Sequence, residues 1–177
     1  KRDTQKTLVL RVFIVVYLPM DNLYNYVLKH IAERYGQSEG FLESIMDRIA
    51  WHESRGVVDC KQIGGGPGRG LFQFEEGYQQ GGETAMKRLL RWFVKHDIDT
   101  PSWVNIGIEG VDASKLDKEA QCMMFLGNVR YHPKASFRGL TLENLPEWWA
   151  DYHWAGAASH RVGHIKSFNH SMEHFKS

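Results

Sequence analysis

A glutamate at the end of a predicted helix is the residue of this sequence best suited to acid–base chemistry. The segment from Ile49 to Gly56 reads Ile-Ala-Trp-His-Glu-Ser-Arg-Gly. Apolar residues at helical spacing lead up to it, and their stripe continues one turn beyond Ile49 onto Glu53. These apolar residues are Phe41, Leu42, Ile45, Met46, Ile49 and Ala50. Because burial favours the uncharged form of a carboxyl group, the pattern predicts Glu53 as a general acid.

The histidine beside this glutamate is assigned no role by the sequence. His52 falls on another face of the same predicted helix, together with Asp47 and Arg48. We therefore expect His52 to point away from Glu53 and to be incidental to its chemistry.

A glycine-rich segment follows the predicted helix. Residues 57–70 contain Pro67 and, around it, Gly64, Gly65, Gly66, Gly68 and Gly70. A phosphate-binding loop needs a lysine and a hydroxyl residue after its last glycine, but here Leu71 and Phe72 follow. A dinucleotide-binding loop should follow a strand, whereas this one follows a helix. The segment predicts a loop or irregular hairpin that turns or brings backbone close to something else.

Length and composition bound the class of protein. With 177 residues, 42% of them hydrophobic, the chain can form one domain with a real core. A formal net charge of +1 argues against a nucleic-acid binder, which usually carries a strongly basic face. Cys60 and Cys122 could form one disulfide or none. A chain that begins at Lys1 without an initiator methionine is expected to be a processed product or an excised piece.

One sustained apolar run occupies residues 8–20. It is too short to span a bilayer and is interrupted by Arg11, so no stable membrane insertion is expected. A vestigial signal or anchor region and a buried strand or helix both remain open for this run.

The rest of the sequence reads as mainly helical. Helices are predicted over residues 21–35, 39–55, 83–95, 114–129, from Thr141 or Pro146 to about Trp154, and over 160–175. Asp21 is the expected N-cap of the first helix, and Ser114 and Asp117 have capping-box spacing at the fourth. Residues 97–112 form a connector that contains Trp103. The expected fold is mainly α with a short irregular glycine-rich hairpin or loop.

Three short motifs resemble those of the soluble lytic transglycosylases, in the goose-type branch of the lysozyme superfamily. Glu53-Ser54 ends a helix, as in the family's glutamate-serine pair, and 70–73 (Gly-Leu-Phe-Gln) resembles its Gly-Leu-Met-Gln segment. The third motif, an Ala-Tyr-Asn-Ala-Gly segment in the family, corresponds to 152–156 (Tyr-His-Trp-Ala-Gly). Without a gap, His153 takes the place of the family tyrosine and Trp154 that of the asparagine; a shift by one restores Tyr152. The resemblance spans residues 39–170.

The resemblance implies a fold and an activity. It implies a single lysozyme-like α+β domain over residues 1–177, with the hairpin beside an active-site cleft, a catalytic core over 39–170, and 1–38 packing on it. The substrate would be the β-1,4 bond between N-acetylmuramic acid and N-acetylglucosamine in peptidoglycan. Glu53, in an apolar setting near Trp51 or Phe72, would protonate the leaving oxygen and then act as base. A transglycosylase closes an anhydro ring at this step, whereas a muramidase activates water; a non-catalytic wall-binding domain is the further alternative.

The resemblance also supplies candidate substrate-binding residues, which are Ser54, Phe72, Gln73, Tyr152, His153 and Trp154. Each has a purely structural alternative: Ser54 could line a turn, Gln73 could sit beside one, and Tyr152 could be a core tyrosine. Trp103, Trp148, Trp149 and Trp154 could stack on sugars or pack in the core.

A second carboxylate, which most glycosidases use, is not evident in the sequence. Asp59, Glu75 and Glu76 are the nearest candidates in sequence, but the two glutamates are more typical of a solvated helix start. A single essential acid suits a transglycosylase better than a hydrolase.

Two histidine pairs have helical spacing, His160 with His164 and His170 with His174. Each could present one face to a metal, but the glutamate of a zinc hydrolase motif is missing between them. We therefore expect no metal and no cofactor. The expected partner is the peptidoglycan glycan strand, either in the bacterial envelope, within a wall-remodelling complex, or from a phage virion.

Overall fold

The computed structural model describes residues 20–75, 84–105, 112–153 and 158–176. Over these residues the protein is mainly helical, as predicted, with one short antiparallel hairpin. The helices are α1 Met20–Tyr35, α2 Glu39–Ser54, α3 Ala85–Lys95, α4 Ser102–Asn105, α5 Lys118–Tyr131, α6 Leu145–His153 and α7 Ala158–Ser171, with 3-10 turns at Ala113–Lys115 and Met172–Lys176; the strands are β1 Gly68–Arg69 and β2 Phe74–Glu75. No helix in this part of the chain is long and apolar enough to cross a membrane. Residues 8–19 of the apolar run lie outside it.

The central element of the fold is α5. Its residues are buried on every side, a pattern typical of a helix surrounded by other elements. α1 and α3 pack against it, and α1 adds five side chains to the same core. Those side chains are Leu23, Val27, Leu28, Ile31 and Ala32. Residues 20–35 are therefore part of the core.

Helix ends agree with the sequence where a capping side chain is unambiguous. Thr84 caps α3 through a hydrogen bond from Lys87 N. The expected start of the fourth predicted helix at 114 is wrong, because Asp117 caps α5 and accepts from Ala120 N at 2.8 Å. Ser114 lies instead within the preceding 3-10 turn.

Two other helix starts can be compared with the sequence: the N-cap predicted for the first is wrong, and the second lies within one residue of the predicted Pro146. α1 begins at Met20, so Asp21 lies inside it and is not its N-cap. α6 begins at Leu145, where Thr141 and Asn144 each accept a hydrogen bond from the other's backbone N–H. Pro146 fits the first turn, because a proline there leaves no intrahelical donor unmatched. The connector over 97–112 contains the short helix α4.

The glycine-rich segment forms the predicted irregular hairpin. Gly68 pairs with Glu75 and Arg69 with Phe74, while Lys61 bridges to the other edge of Arg69. The hydrogen bond from Gly70 N to Cys60 O, at 2.8 Å, extends this bridge. Residues 60–62 thus add a third extended segment to the hairpin.

One buried side chain fastens the hairpin to α5. Gln121 Oε1 accepts from Leu71 N at 2.6 Å, and its Nε2 donates to Val58 O and Leu116 O at 2.9 Å each. Gly70 has a φ of +76°, and a Cβ there would come within 2.2 Å of Gln121 Oε1. A glycine is therefore required at this contact for both backbone and steric reasons.

The two cysteines are free thiols. Cys122 lies inside α5, where burial raises its pKa to about 12. No disulfide links the hairpin to the core, so hydrogen bonds such as those of Gln121 hold the two together.

A close approach of two helices gives a stability test. A Cβ added at Gly127 of α5 would lie 2.8 Å from Leu89 Cα of α3, closer than real Cβ contacts. Because backbone cannot move away as a side-chain tip can, Gly127→Ala should lower the free energy of unfolding by about 1–3 kcal/mol in urea titrations. Gly163→Ala is the matched control: α7 offers open space there, and the change should be neutral or raise stability by up to about 1 kcal/mol. Equal effects of the two substitutions would contradict the helix contact.

Candidate active site

Glu53 lies in the last turn of α2, as the sequence predicts. The helix ends at Arg55, which has a φ of +57°, and Gly56 N donates to Ala50 O at 3.2 Å. The buried stripe of α2 consists of Leu42, Ile45, Met46, Ile49, Ala50 and Ser54. Glu53 stands at its edge, with a side chain 13% exposed. Its carboxyl group is therefore mostly shielded from water while remaining reachable.

One oxygen of Glu53 is held by an aromatic donor from α6. Trp149 Nε1 donates to Glu53 Oε1 at 2.8 Å, and the Trp149 ring is buried against Phe125 and Tyr152. Among the described residues, none donates a hydrogen bond to Oε2. The arrangement fixes the carboxyl group through Oε1.

The expectation that His52 points away from Glu53 is wrong. His52 Nε2 lies 3.7 Å from Glu53 Oε1, and His52 Nδ1 lies 2.9 Å from Ser171 Oγ. The face of α2 that carries His52 is covered by α7, whose Phe168 ring packs on the imidazole with centroids 4.7 Å apart. Helical periodicity gives the direction of Cβ, but it cannot reveal that a second helix covers that flank.

The side chains of the first two sequence motifs make local and core contacts. Ser54 is buried and its Oγ donates to Ala50 O at 2.9 Å, within its own helix. Gln73 is buried in the left-handed conformation, with φ +48°, and its Nε2 donates to Gly70 O at 2.9 Å. Phe72 stacks on Phe125 in the core, with centroids 4.7 Å apart. The described contacts of these three predicted binding residues are thus with helix, hairpin and core.

Tyr152 of the third motif is a core tyrosine. Its ring stacks on Trp148, and its hydroxyl accepts a hydrogen bond from Asn128 Nδ2. The Asn128 Oδ1 accepts in turn from buried Arg88 at 2.7 Å. Burial raises the pKa of Tyr152, so the hydroxyl stays protonated. The His153 side chain and Trp154 lie outside the described residues.

The remaining tryptophans are mostly engaged in packing. Trp148 Nε1 donates to Ser136 O at 2.8 Å, and its ring stacks on Phe137. Trp51, expected near Glu53, stacks on His174 with centroids 3.7 Å apart. Trp103 is partly buried at the edge of the core. Of the three candidate sugar platforms within the described residues, Trp149 is the one that contacts Glu53, and it does so as a hydrogen-bond donor.

No second carboxylate contacts Glu53 within the described structure. Asp59 and Glu75 are exposed, and Glu76 lies outside the described residues. Over the same residues, no group of three His, Cys, Asp or Glu side chains could hold a metal ion. His160 and His164 lie on α7, while His174 is part of the stack on Trp51. The site thus offers one carboxyl group with an imidazole beside it.

Sequence reasoning missed His52 and Ser171, and it gave Trp149 a different role. His52 and Ser171 are 119 residues apart and share no motif, so no signal in the sequence pairs them. The only hint for Trp149 is its place on the apolar face of a predicted helix.

Compared with protein-family models, curated proteins and solved structures, the chain matches none of them. The assignment of function therefore rests on the motifs and on the geometry around Glu53.

A histidine behind Tyr152 predicts a pH effect on stability. Burial, with Arg88 and Lys134 nearby, lowers the pKa of His132 from 6.5 to about 4. Its Nδ1 accepts from Lys134 N at 3.1 Å, a bond that only the unprotonated nitrogen can accept. The unfolded chain protonates this histidine first, so its contribution is present above pH 6.5 and is lost as the pH falls towards 4.

His132→Asn keeps an acceptor near Nδ1 but cannot titrate. Urea unfolding of the wild type and of this variant at pH 7 and pH 4.5 should therefore differ. We expect the variant to lose about 1–2 kcal/mol less than the wild type, a figure reduced because the imidazole is partly exposed. His170→Asn, at an exposed position of α7, serves as control and should follow the wild type. An identical loss in His132→Asn and wild type would contradict the prediction.

Proposed function

We propose that the protein cleaves the β-1,4 bond between N-acetylmuramic acid and N-acetylglucosamine in peptidoglycan, as a lytic transglycosylase. Glu53 acts as its single general acid and base. The observation that carries this proposal is a shielded carboxyl group at a helix end, held through Oε1 by Trp149 Nε1, with Oε2 left unbonded by the described residues. Its support from sequence is the order of the Glu53-Ser54 and 70–73 motifs.

The first half of the reaction needs a proton at Oε2. Glu53 donates this proton to the oxygen that links C1 of the muramic acid to the next sugar, and the C1–O bond breaks. Positive charge that develops at C1 lies near the newly formed carboxylate. Fixing Oε1 keeps the side chain in one rotamer, so the proton is delivered from one direction.

The second half returns the proton to Glu53. The carboxylate takes it from the 6-hydroxyl of the muramic acid, and that oxygen bonds to C1 to close the anhydro ring. Atoms balance without water, and Glu53 ends the cycle protonated. The isolation of the carboxyl group supports this route over hydrolysis, because Asp59 and Glu75 are exposed and make no described contact with it.

The partner of this reaction is the peptidoglycan strand, and the setting is the bacterial envelope or a phage particle that delivers the enzyme to the wall. The Gln121-anchored hairpin supports a strand-binding role, because it forms a rigid edge next in sequence to the end of α2.

Glu53→Gln tests the acid directly. The amide can still accept a hydrogen bond from Trp149 but carries no transferable proton, so peptidoglycan clearing should fall by at least about 100-fold. Binding to purified sacculi, measured by co-sedimentation, should persist. Glu147→Gln on the exposed side of α6 is the matched control and should clear at the wild-type rate. Wild-type clearing by Glu53→Gln would refute the assignment of the acid.

The released products separate the transglycosylase from a muramidase. Ring closure gives muropeptides that end in anhydro-muramic acid and weigh one water less than hydrolysis products. We expect mass spectrometry of wild-type digests to contain the anhydro ends. Products that all carry reducing ends would establish a muramidase with the same acid.

A further inference from the structure

A serine in the last turn of α7 determines how its histidine neighbour is protonated. Ser171 has one hydroxyl proton, and its Oγ donates that proton to Phe168 O at 2.7 Å. The same oxygen lies 2.9 Å from His52 Nδ1, so it can only accept there. Nδ1 of His52 must therefore carry a hydrogen.

This hydrogen decides the state of the opposite ring nitrogen. A neutral imidazole with a proton on Nδ1 has a lone pair on Nε2. That nitrogen faces Glu53 Oε1 at 3.7 Å, on the oxygen that already accepts from Trp149. A proton taken up at Nε2 would make it a second donor to Oε1.

We propose that Ser171 and His52 form a relay that positions the carboxyl group of Glu53. Ser171 fixes the His52 ring and its tautomer, His52 places Nε2 3.7 Å from Oε1, and Trp149 donates a hydrogen bond to that oxygen. Oε2 is thereby reserved for the substrate. The relay rests on the proposed function of Glu53. It makes α7 a positioning element of the site, although Ser171 belongs to none of the three sequence motifs.

Other charged or titratable groups lie on the described helices that pack against the relay. Arg48 lies one turn before His52 on α2, but its guanidinium bonds to Ser44 and lies 4.7 Å from the Phe175 ring. α6 contributes the uncharged Trp149. On α7, Lys166 and His170 each lie two residues from Phe168, and both are exposed. Glu53 Oε1 lies 3.7 Å from His52 Nε2.

Nitrogen-15 NMR of labelled histidines tests the relay without any activity measurement. At a pH where His52 is neutral, its spectrum should be that of a ring protonated on Nδ1. In Glu53→Gln, the titration midpoint of His52 should fall by about 0.5 pH unit or more, because a nearby negative charge is removed. Ser171→Ala should lose the Nδ1 tautomer, whereas Ser167→Ala, at an exposed position of α7, should keep it. A ring protonated on Nε2 in the wild type, or an unmoved midpoint in Glu53→Gln, would overturn the relay.

Peptidoglycan clearing provides the second readout. His52→Gln and Ser171→Ala should each lower kcat by about tenfold with little change in KM, and the pH profile of kcat should change in His52→Gln. A KM effect alone, or no effect, would contradict positioning. The two proposals can be refuted separately. Wild-type clearing by Glu53→Gln would refute the proposed function, and the NMR spectra would still test the relay. NMR spectra without the expected tautomer and midpoint shift would refute the relay alone.

Discussion

The hydrogen bond from Trp149 to Glu53 is the interaction on which the site depends. A mostly buried carboxyl group needs a donor, since leaving it unpaired would cost more than the bond contributes. The bond joins α6 to the end of α2, two elements 96 residues apart. Because Trp149 is itself packed against Phe125 of the central helix, the position of Glu53 is set by the core. The position of Glu53 and the packing of the core are coupled here through one aromatic ring.

α5 organises both sides of the site. Its Phe125 supports Trp149, and its Gln121 binds the hairpin that follows Glu53 in the chain. A shift of α5 would therefore move the donor and the hairpin together. The close contact of Gly127 with α3 limits such a shift, since interiors packed to this density transmit strain and do not absorb it.

Local patterns in the sequence predicted most of the helices, a glycine-rich loop or hairpin, and the place of Glu53 in the last turn of a helix. Apolar spacing marks the stripe of α2, whereas Asp117, the N-cap of α5, was placed within the predicted helix. The features that the sequence did not predict are tertiary contacts. The covering of His52 by α7 and the pairing of Tyr152 with Asn128 depend on helices that meet only after folding. The helix start predicted at Ser114 is wrong because two aspartates cap successive elements here: Asp112 caps the 3-10 turn, and Asp117 caps α5.

Tyr152 and Trp149 on α6 differ in the hydrogen bonds that they can make. A tyrosine hydroxyl at Tyr152 could both donate and accept, but here it is turned into the core towards Asn128. Trp149, one turn earlier on α6, supplies the contact to Glu53, and an indole N–H is a donor only. Such a donor favours an unprotonated Oε1 whether Glu53 is charged or neutral. A protonated Glu53 would then carry its proton on Oε2, the oxygen that the described residues leave unbonded. The donor-only contact at Oε1 thus directs the proton of a neutral Glu53 towards Oε2.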